Sequence, residues 1–476
     1  MVRVKRSRIF ILKYSVLIFL SFCAVLGVYR LTKHNDHTED IGSLSKVLGN
    51  RGNIKYLKNP KIIFPSIVST ENDTEKANDM FKKTDTAATT IKAPINKMND
   101  QEAQKKKSIV NRFGFNIDLN TSAEPNYNVH VFYYPWYGNP EHDGKFLHWN
   151  HAIIEHWNKQ EALKWPKGMH SPPDNVGANY YPLLGAYSSK DPEVVDIHMQ
   201  MLRYAGIGVV VVSWYPSGDA DNEGLEPDSL VPLLLDAAQK YSLKVALHVE
   251  PFKERDDITM REQLKYIISK YGSHPAFYRT SHKNKVNLPL IYIYDSYLIG
   301  ADKWKNIFTE GGSLSVRGTE FDAIFIGLLV ENKHLNHVIA SGFDGVYTYF
   351  ATNGFTYGST WTNWLQVKKW AESHGLLFIP SVGPGYIDTE IRPWNAMNTR
   401  KRLGGKYYSE SVQNALAVHP DIISITSFNE WHEGTQIEPA IRKSFLSRSY
   451  EDYEPQGPMF YLNATRNWVD TFRRAS

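Results

Sequence analysis

The chain has 476 residues, 42% hydrophobic, 13% aromatic and 22% charged, with one cysteine. That apolar share excludes a wholly disordered chain and a mean hydropathy of −0.41 excludes a polytopic membrane protein, while a lone cysteine excludes a disulfide scaffold or a cysteine-based zinc module. The net charge is +4, but Arg3, Lys5, Arg6, Arg8, Lys13, Arg30 and Lys33 stand in an N-terminal stretch without acidic residues and leave the remainder at −3, which removes the electrostatic case for a nucleic-acid partner.

Residues 9–29 are apolar apart from Lys13 and a few small polar side chains. The uninterrupted part, 14–29, is short of the ~20 residues that span a bilayer, but Lys13 can snorkel and let 9–12 contribute. No small-x-small cleavage site follows, and the positive charges concentrate before the run, so the N-terminus is expected to stay cytosolic. Residues 1–33 therefore read as a cytosolic tail and signal-anchor helix, and the sole cysteine, Cys23, falls inside it. Residues 34–126 are rich in Lys, Asn, Asp, Ser and Thr and hold no tryptophan, as expected of a disordered stem. Glycosylation sequons stand at Asn72, Asn120 and Asn463.

From residue 127 the texture changes, and all 12 tryptophans follow. Eight apolar, β-branched or aromatic runs (129–134, 208–215, 244–250, 288–294, 323–330, 345–350, 376–382 and 422–428) read as strands buried on both faces. Helical stretches are expected at 192–204, 228–241, 260–271, 362–374 and 409–418. This alternation predicts one α/β domain, a (β/α)8 TIM barrel over 127–476, in preference to a doubly wound sheet, for which no G-x-G-x-x-G is present. Residues 138–190 are too long for a βα loop and are expected to roof the first strand's exit.

In such a barrel, chemistry sits at the C-terminal strand ends. Those ends carry Tyr134, Trp136 and Tyr137; Ser213, Trp214 and Tyr215; His248 and Glu250; Tyr292, Tyr294 and Asp295; Glu331; Tyr347 and Tyr349; Tyr386, Asp388 and Arg392; and Asn429, Glu430, Trp431, His432 and Glu433. Aromatic platforms interleaved with carboxylates suit a sugar, whose C–H faces stack on rings and whose hydroxyls bond to charged side chains. Glycoside cleavage needs an acid for the leaving oxygen and usually a second carboxylate at the anomeric centre. Glu430 and Glu433, three apart before Gly434, are the candidate pair.

Rival motifs are weaker. His432-Glu433 does not complete H-E-x-x-H, because Gln436 stands at the second histidine position. His248 and Glu250 make an incomplete metal set. Asp219-Ala220-Asp221 matches a D-x-D, the feature of metal- and nucleotide-sugar-binding transferases, which keeps a transferase as an alternative beside a catalytically silent glycan-binding barrel.

The runs VFYYPWYG (131–138), SWYP (213–216), YIYDSY (292–297), 345–360, IPSVGPGYID (379–388), IRPW (391–394) and SFNEWHEGTQ (427–436) resemble glycoside hydrolase family 99 across about 128–470. The resemblance implies a (β/α)8 barrel and a retaining endo-α-1,2-mannosidase activity. It implies cleavage within the glucosylated arm of high-mannose N-glycans, with release of glucosyl-mannose and no required metal or cofactor. It carries the catalytic pair onto Glu430 and Glu433. Glu430 is expected to deprotonate the 2-hydroxyl and close a 1,2-anhydro intermediate, and Glu433 to act as acid and then base; residue reading alone makes Glu430 an ordinary nucleophile. By motif position, Tyr137, His148, His248, Glu250, Tyr294, Tyr349 and Arg392 resemble substrate-binding or supporting residues. Trp214, Asp295, Glu331, Asn429 and Trp431 join them as strand-end candidates for substrate binding. Departures stand at Pro135, Asn332 and Thr360-Trp361, away from the pair. With the anchor, the resemblance implies a single-pass type II Golgi membrane protein with a lumenal catalytic domain.

Overall fold

The computed structural model describes Phe113, Ile117 and residues 124–475 except 220, 222, 223, 446 and 447. The expected anchor and nearly all of the expected stem, with Asn72 and Asn120, lie outside the described residues. Among the described residues no helix is long and apolar enough to cross a membrane.

Eight parallel strands form the core: β1 (Asn126–Tyr133), β2 (Ile207–Trp214), β3 (Lys244–Val249), β4 (Lys285–Ile293), β5 (Ile324–Leu328), β6 (Gly345–Tyr347), β7 (Leu377–Ile379 and Ser381–Val382) and β8 (Ile423–Ile425). Each pairs with the next in chain order, and β8 pairs with β1. The ring closes through β7, whose first half pairs with β6 and whose second half pairs with β8. Pro380 divides those halves, because its nitrogen has no hydrogen to give the ladder.

β2 explains the continuous apolar reading. Every residue from Ile207 to Trp214 is buried, and each such Val side chain contributes roughly 1.5–3 kcal/mol relative to exposure. The barrel interior is filled by rings: Phe132 lies 4.8 Å from His248, 5.6 Å from Tyr292 and 5.7 Å from Tyr347, centre to centre.

Helices α1 (Pro192–Tyr204), α2 (Val231–Lys240), α3 (Asp257–Tyr271), α4 (Ala301–Phe308), α5 (His334–Ser341), α6 (Trp364–His374), α7 (Lys406–Leu416) and α8 (Phe460–Ala475) follow the strands in turn. The Asp191 side chain caps α1 and Pro192 opens it, with Val194, Val195, Ile197, His198, Met199, Met201 and Leu202 turned inward. Asp256 and Thr259 form a reciprocal capping box for α3, which begins three residues before its apolar periodicity shows. The expected helices at 228–241 and 362–374 open with 3₁₀ turns, Pro227–Leu230 and Trp361–Asn363. Helices α4, α5 and α8 were not read from the sequence. Asn463 lies in α8, where its side-chain oxygen accepts the Tyr204 hydroxyl at 2.7 Å.

The 138–190 segment packs onto the exit of β8. Its short strand Tyr181–Pro182 pairs antiparallel with Ala440–Ile441, and Gly177 O takes a 2.7 Å hydrogen bond from His432.

Candidate active site

Beyond β8 the chain folds back as a closed loop. Ser427 N–H donates to Thr435 O at 2.9 Å, Ile437 N–H to Ser427 O at 3.0 Å and Glu438 N–H to Phe428 O at 2.9 Å, while Phe428 N–H ties the loop to β1 at Phe132 O, 2.8 Å. Gly434 takes φ +60°, and a Cβ there would meet Ile387 at 2.5 Å from Cγ2 and 2.7 Å from the carbonyl oxygen. A side chain at 434 would push away the strand-seven loop, whose Ile387 N–H bonds to Glu433 O at 2.8 Å.

This loop presents both candidate carboxylates. Glu430 is buried; its Oε1 accepts the Glu433 N–H at 3.2 Å, and its Oε2 has no hydrogen-bond partner among the described residues. Glu433 keeps 23% of its side chain exposed, with Oε1 3.5 Å from Arg392 Nη1. Burial, and then the neighbouring Glu433, raise the Glu430 carboxyl well above the usual range. Burial also raises Glu433 to about 6, with Arg392 opposing. Arg392 is aimed by Asp388, whose Oδ2 accepts Arg392 Nη1 at 3.1 Å, the Tyr386 hydroxyl at 2.9 Å and Asn395 Nδ2 at 2.8 Å.

Across the mouth, β2, β3 and β6 supply a second polar group. Glu250 Oε1 accepts Ser213 Oγ at 2.9 Å and pairs with His248 Nδ1 at 2.9 Å, and His248 Nε2 meets the Tyr347 hydroxyl at 2.7 Å. Tyr349 stacks parallel to His248 at 5.8 Å and hydrogen-bonds through its hydroxyl to Tyr134; Tyr294 lies 5.0 Å from Tyr349. Asp295 follows, with φ +47° and its carboxyl pushed up to about 6 by burial, against a 2.8 Å hydrogen bond from Tyr297. Arg255 bridges the carbonyls of Tyr294 and Asp295, at 2.8 Å each.

His148 stacks on Trp136 at 4.6 Å and pairs through Nε2 with Asp221 Oδ2 at 2.9 Å. The other oxygen of Asp221 accepts the N–H groups of Gly224 and Leu225 at 2.9 and 3.0 Å. The second aspartate of the D-x-D thus holds a turn and orients His148.

Four expected substrate contacts are framework instead. Trp214 is fully buried and turned to the helix layer, where its indole N–H donates to Asp228 at 2.8 Å. Strand alternation aims Ser213 and Tyr215 the other way, and Tyr215, partly exposed and within electrostatic reach of Glu250 and Asp221, is the strand-two residue at the mouth, named at the strand end in the sequence but not among the substrate-binding candidates. Tyr137, Asn429 and Trp431 are fully buried. The Tyr137 hydroxyl donates to Asn429 O at 2.9 Å and accepts the Trp431 N–H at 3.1 Å; the Asn429 side chain accepts Tyr134 N–H at 2.8 Å and donates to Tyr134 O at 3.0 Å. They hold the backbone that flanks Glu430. Glu331 sits at the rim, paired with Lys333 at 2.7 Å.

Glu438 was also missed. It is fully buried, accepts Tyr187 Oη at 2.8 Å and Trp431 Nε1 at 2.9 Å, and pairs with His198 Nε2 at 3.1 Å. Its sequence signal, one more Glu on the loop, carried no hint of partners that come from α1 and the roof.

A parallel barrel whose mouth gathers two carboxylates, one buried and one partly exposed, their proton affinities raised, between aromatic rings has the layout of a glycoside-cleaving enzyme. Residues 124–474 match glycosyl hydrolase family 99. The glycoprotein endo-alpha-1,2-mannosidase of Mus musculus is 55% identical over 358 residues, 75% of this chain and 78% of that protein. Its Xenopus laevis counterpart is 53% identical over 360 residues, 76% of this chain and 80% of that one. The solved GH99 endo-alpha-mannosidase from Bacteroides thetaiotaomicron superposes with a TM-score of 0.68 at 46% identity, over 74% of this chain and 99% of that one. The chain belongs to glycoside hydrolase family 99.

Proposed function

We propose that the chain is a retaining endo-α-1,2-mannosidase that cleaves within the glucosylated arm of high-mannose N-glycans and releases glucosyl-mannose. The observation that carries this reading is the Glu430–Glu433 pair at the barrel mouth, Glu430 buried with one oxygen unpartnered and Glu433 partly exposed beside it, in a chain 55% identical over 358 residues to a glycoprotein endo-alpha-1,2-mannosidase.

Glu430 Oε2 takes the proton of the substrate's 2-hydroxyl as the 2-oxygen attacks C1, forming a 1,2-anhydro ring. Glu433 gives its proton to the departing glycosidic oxygen. Water then opens the ring at C1, Glu433 takes the water's proton, Glu430 returns its proton to the 2-oxygen, and the second inversion restores the original configuration. Without sugar, Arg392 favours charge on Glu433 and leaves the pair's shared proton on Glu430, the reverse of the reactive state. Substrate reverses it: a 2-hydroxyl donating to Oε2 stabilises the Glu430 carboxylate, and a leaving group laid over Glu433 removes water and favours its neutral form. Glu250, Tyr294, Asp295, Tyr349 and His148 bind sugar hydroxyls and ring faces around this pair, and His248, buried with both ring nitrogens engaged, positions Glu250.

Residues 1–33 serve as a type II signal anchor, 34–126 as a stem and 127–476 as the lumenal catalytic domain of a Golgi membrane protein. The support is the apolar run at 9–29 with its basic N-terminal flank and the polar composition that follows.

The full chain incubated with glucosylated high-mannose oligosaccharide, with and without EDTA, tests the activity. Glucosyl-mannose release that ignores the chelator and disappears in Glu430→Gln and in Glu433→Gln is expected. Unchanged release by either variant overturns the mechanism; binding without turnover establishes a silent glycan binder. Chelator-sensitive transfer lost in Asp219→Ala and Asp221→Ala establishes the transferase alternative.

A further inference from the structure

On the 138–190 roof, next to the Ala152–Met169 bridge, His151 is half-buried with its ring centre 4.8 Å from that of His432 and 6.4 Å from that of His148. Three hydrogen bonds clamp this part of the roof to the loop that carries Arg392. Ile154 N–H donates to Ile391 O at 2.8 Å, Trp394 Nε1 to Ile154 O at 2.9 Å and His170 Nε2 to Glu390 O at 3.1 Å. The His170 N–H in turn donates to His151 O at 3.2 Å. Gly177 packs beneath: a Cβ there would meet His151 Cβ at 3.0 Å and His432 Nδ1 at 3.3 Å. His151 is thereby fixed between the catalytic loop and the Arg392 loop.

The partners of the ring fix its hydrogen-bonding roles. Nδ1 lies 2.6 Å from Ala152 O, and a carbonyl only accepts, so Nδ1 carries the hydrogen. Burial holds the ring down to about 4, against the Ala152 bond and with His148, Arg392 and His170 adding to the shift. Near neutral pH the ring is therefore uncharged and Nε2 offers a lone pair. Nε2 has no hydrogen-bond partner among the described residues, and it keeps access to solvent where His432 Nε2 and His148 Nδ1 have none. On the far side of the same loop, Arg392 stands 3.5 Å from Glu433, the carboxyl that protonates the leaving oxygen in the proposed mechanism. The departing sugar lies over that pair. Resting on that mechanism, we propose that His151 Nε2 accepts a hydrogen bond from a hydroxyl of the departing sugar. An acceptor suits this place, because Arg392 only donates: a sugar hydroxyl that accepts from Arg392 still has its own hydrogen to give to His151. His151 is in this way a specificity-determining contact on the leaving side, of no use to a leaving group that has no hydroxyl.

His151→Asn in the full chain tests this, because asparagine keeps a side-chain N–H for Ala152 O and removes the outer lone pair. Parent and variant are assayed on a glucosylated high-mannose oligosaccharide and on glucosyl-mannosyl fluoride, whose leaving group has no hydroxyl. The ratio of kcat/KM on the oligosaccharide to kcat/KM on the fluoride should fall roughly fivefold or more in the variant, the worth of one neutral hydrogen bond. A ratio equal to the parent's overturns the contact: it means either that nothing was lost or that both substrates lost alike, as a merely structural role would make them. A parent that releases no glucosyl-mannose from the oligosaccharide overturns the hydrolytic reading and this contact with it, whereas an active parent with an unchanged ratio in the variant overturns the contact alone.

Discussion

Glu430 and Glu438 stand eight residues apart on one loop, are both buried, and differ in how their oxygens are used. Glu438 is held from both sides by His198, Tyr187 and Trp431; Glu430 keeps one oxygen without a partner. A buried carboxylate with every oxygen satisfied is fixed in place and stabilises the loop that carries it. One buried with an open oxygen has its proton affinity raised and awaits a donor from outside. On the proposed mechanism the same loop separates into a reactive limb, 430–433, and an anchoring limb around 438.

Substitution at the reactive limb should give the largest effect. Glu430→Gln is expected to lower kcat by roughly 10³-fold or more, as loss of a general base does, while the thermal midpoint stays within a few degrees of the parent; an equal loss of kcat in Glu438→Gln would erase the distinction. At the anchoring limb the ordering reverses. Glu438→Ala leaves His198, Tyr187 and Trp431 without their buried acceptor and should cost about 3 kcal/mol of folding stability, read by denaturant unfolding; a loss under a third of that would make Glu438 dispensable.

A smaller effect falls on the pH profile. In the proposed mechanism the pair reacts with one proton between its two carboxylates, so kcat/KM should rise with pH as Glu433 ionises near 6 and fall only where the more strongly raised Glu430 carboxyl loses its proton. Arg392→Met removes the cation that opposes protonation of Glu433 and should move that rising limb upward by about one pH unit. A limb that stays put, or moves down, would detach Arg392 from Glu433.

The smallest concerns Asp295, raised to about 6 by burial. Its folded value lies above the unfolded one, so its contribution to stability is complete below pH ~4 and is lost as pH rises through about 6. Asp295→Asn keeps an acceptor for Tyr297 and tolerates φ +47°. It should therefore raise the thermal midpoint by about 2 °C at pH 7 and leave it unchanged at pH 3.5.

Several parts of this molecule were legible in the residues themselves. A run such as Val209–Val210–Val211–Val212 is buried on both faces wherever a parallel barrel forms, so strand order and number follow from local composition. Glu430 and Glu433 could be picked out as a candidate pair because their E-x-x-E, interleaved with Asn, Trp and His, falls at the end of the last strand. Where each side chain pointed was not legible. Trp214 and Tyr215 look alike in the sequence, and strand alternation alone sends one to the helix layer and the other to the mouth. Helices α4 and α5, eight residues each, are too short for a 3.6-residue pattern to stand out.

The sequence by itself determined that eight strands alternate with helices and that a carboxylate pair leaves the last strand, because periodicity and motif spacing are local properties of the chain. Only the tertiary structure decided which acidic side chain has an open oxygen and which is saturated. That depends on donors such as Tyr187, His198 and Arg392, which the fold delivers to the loop from far along the chain.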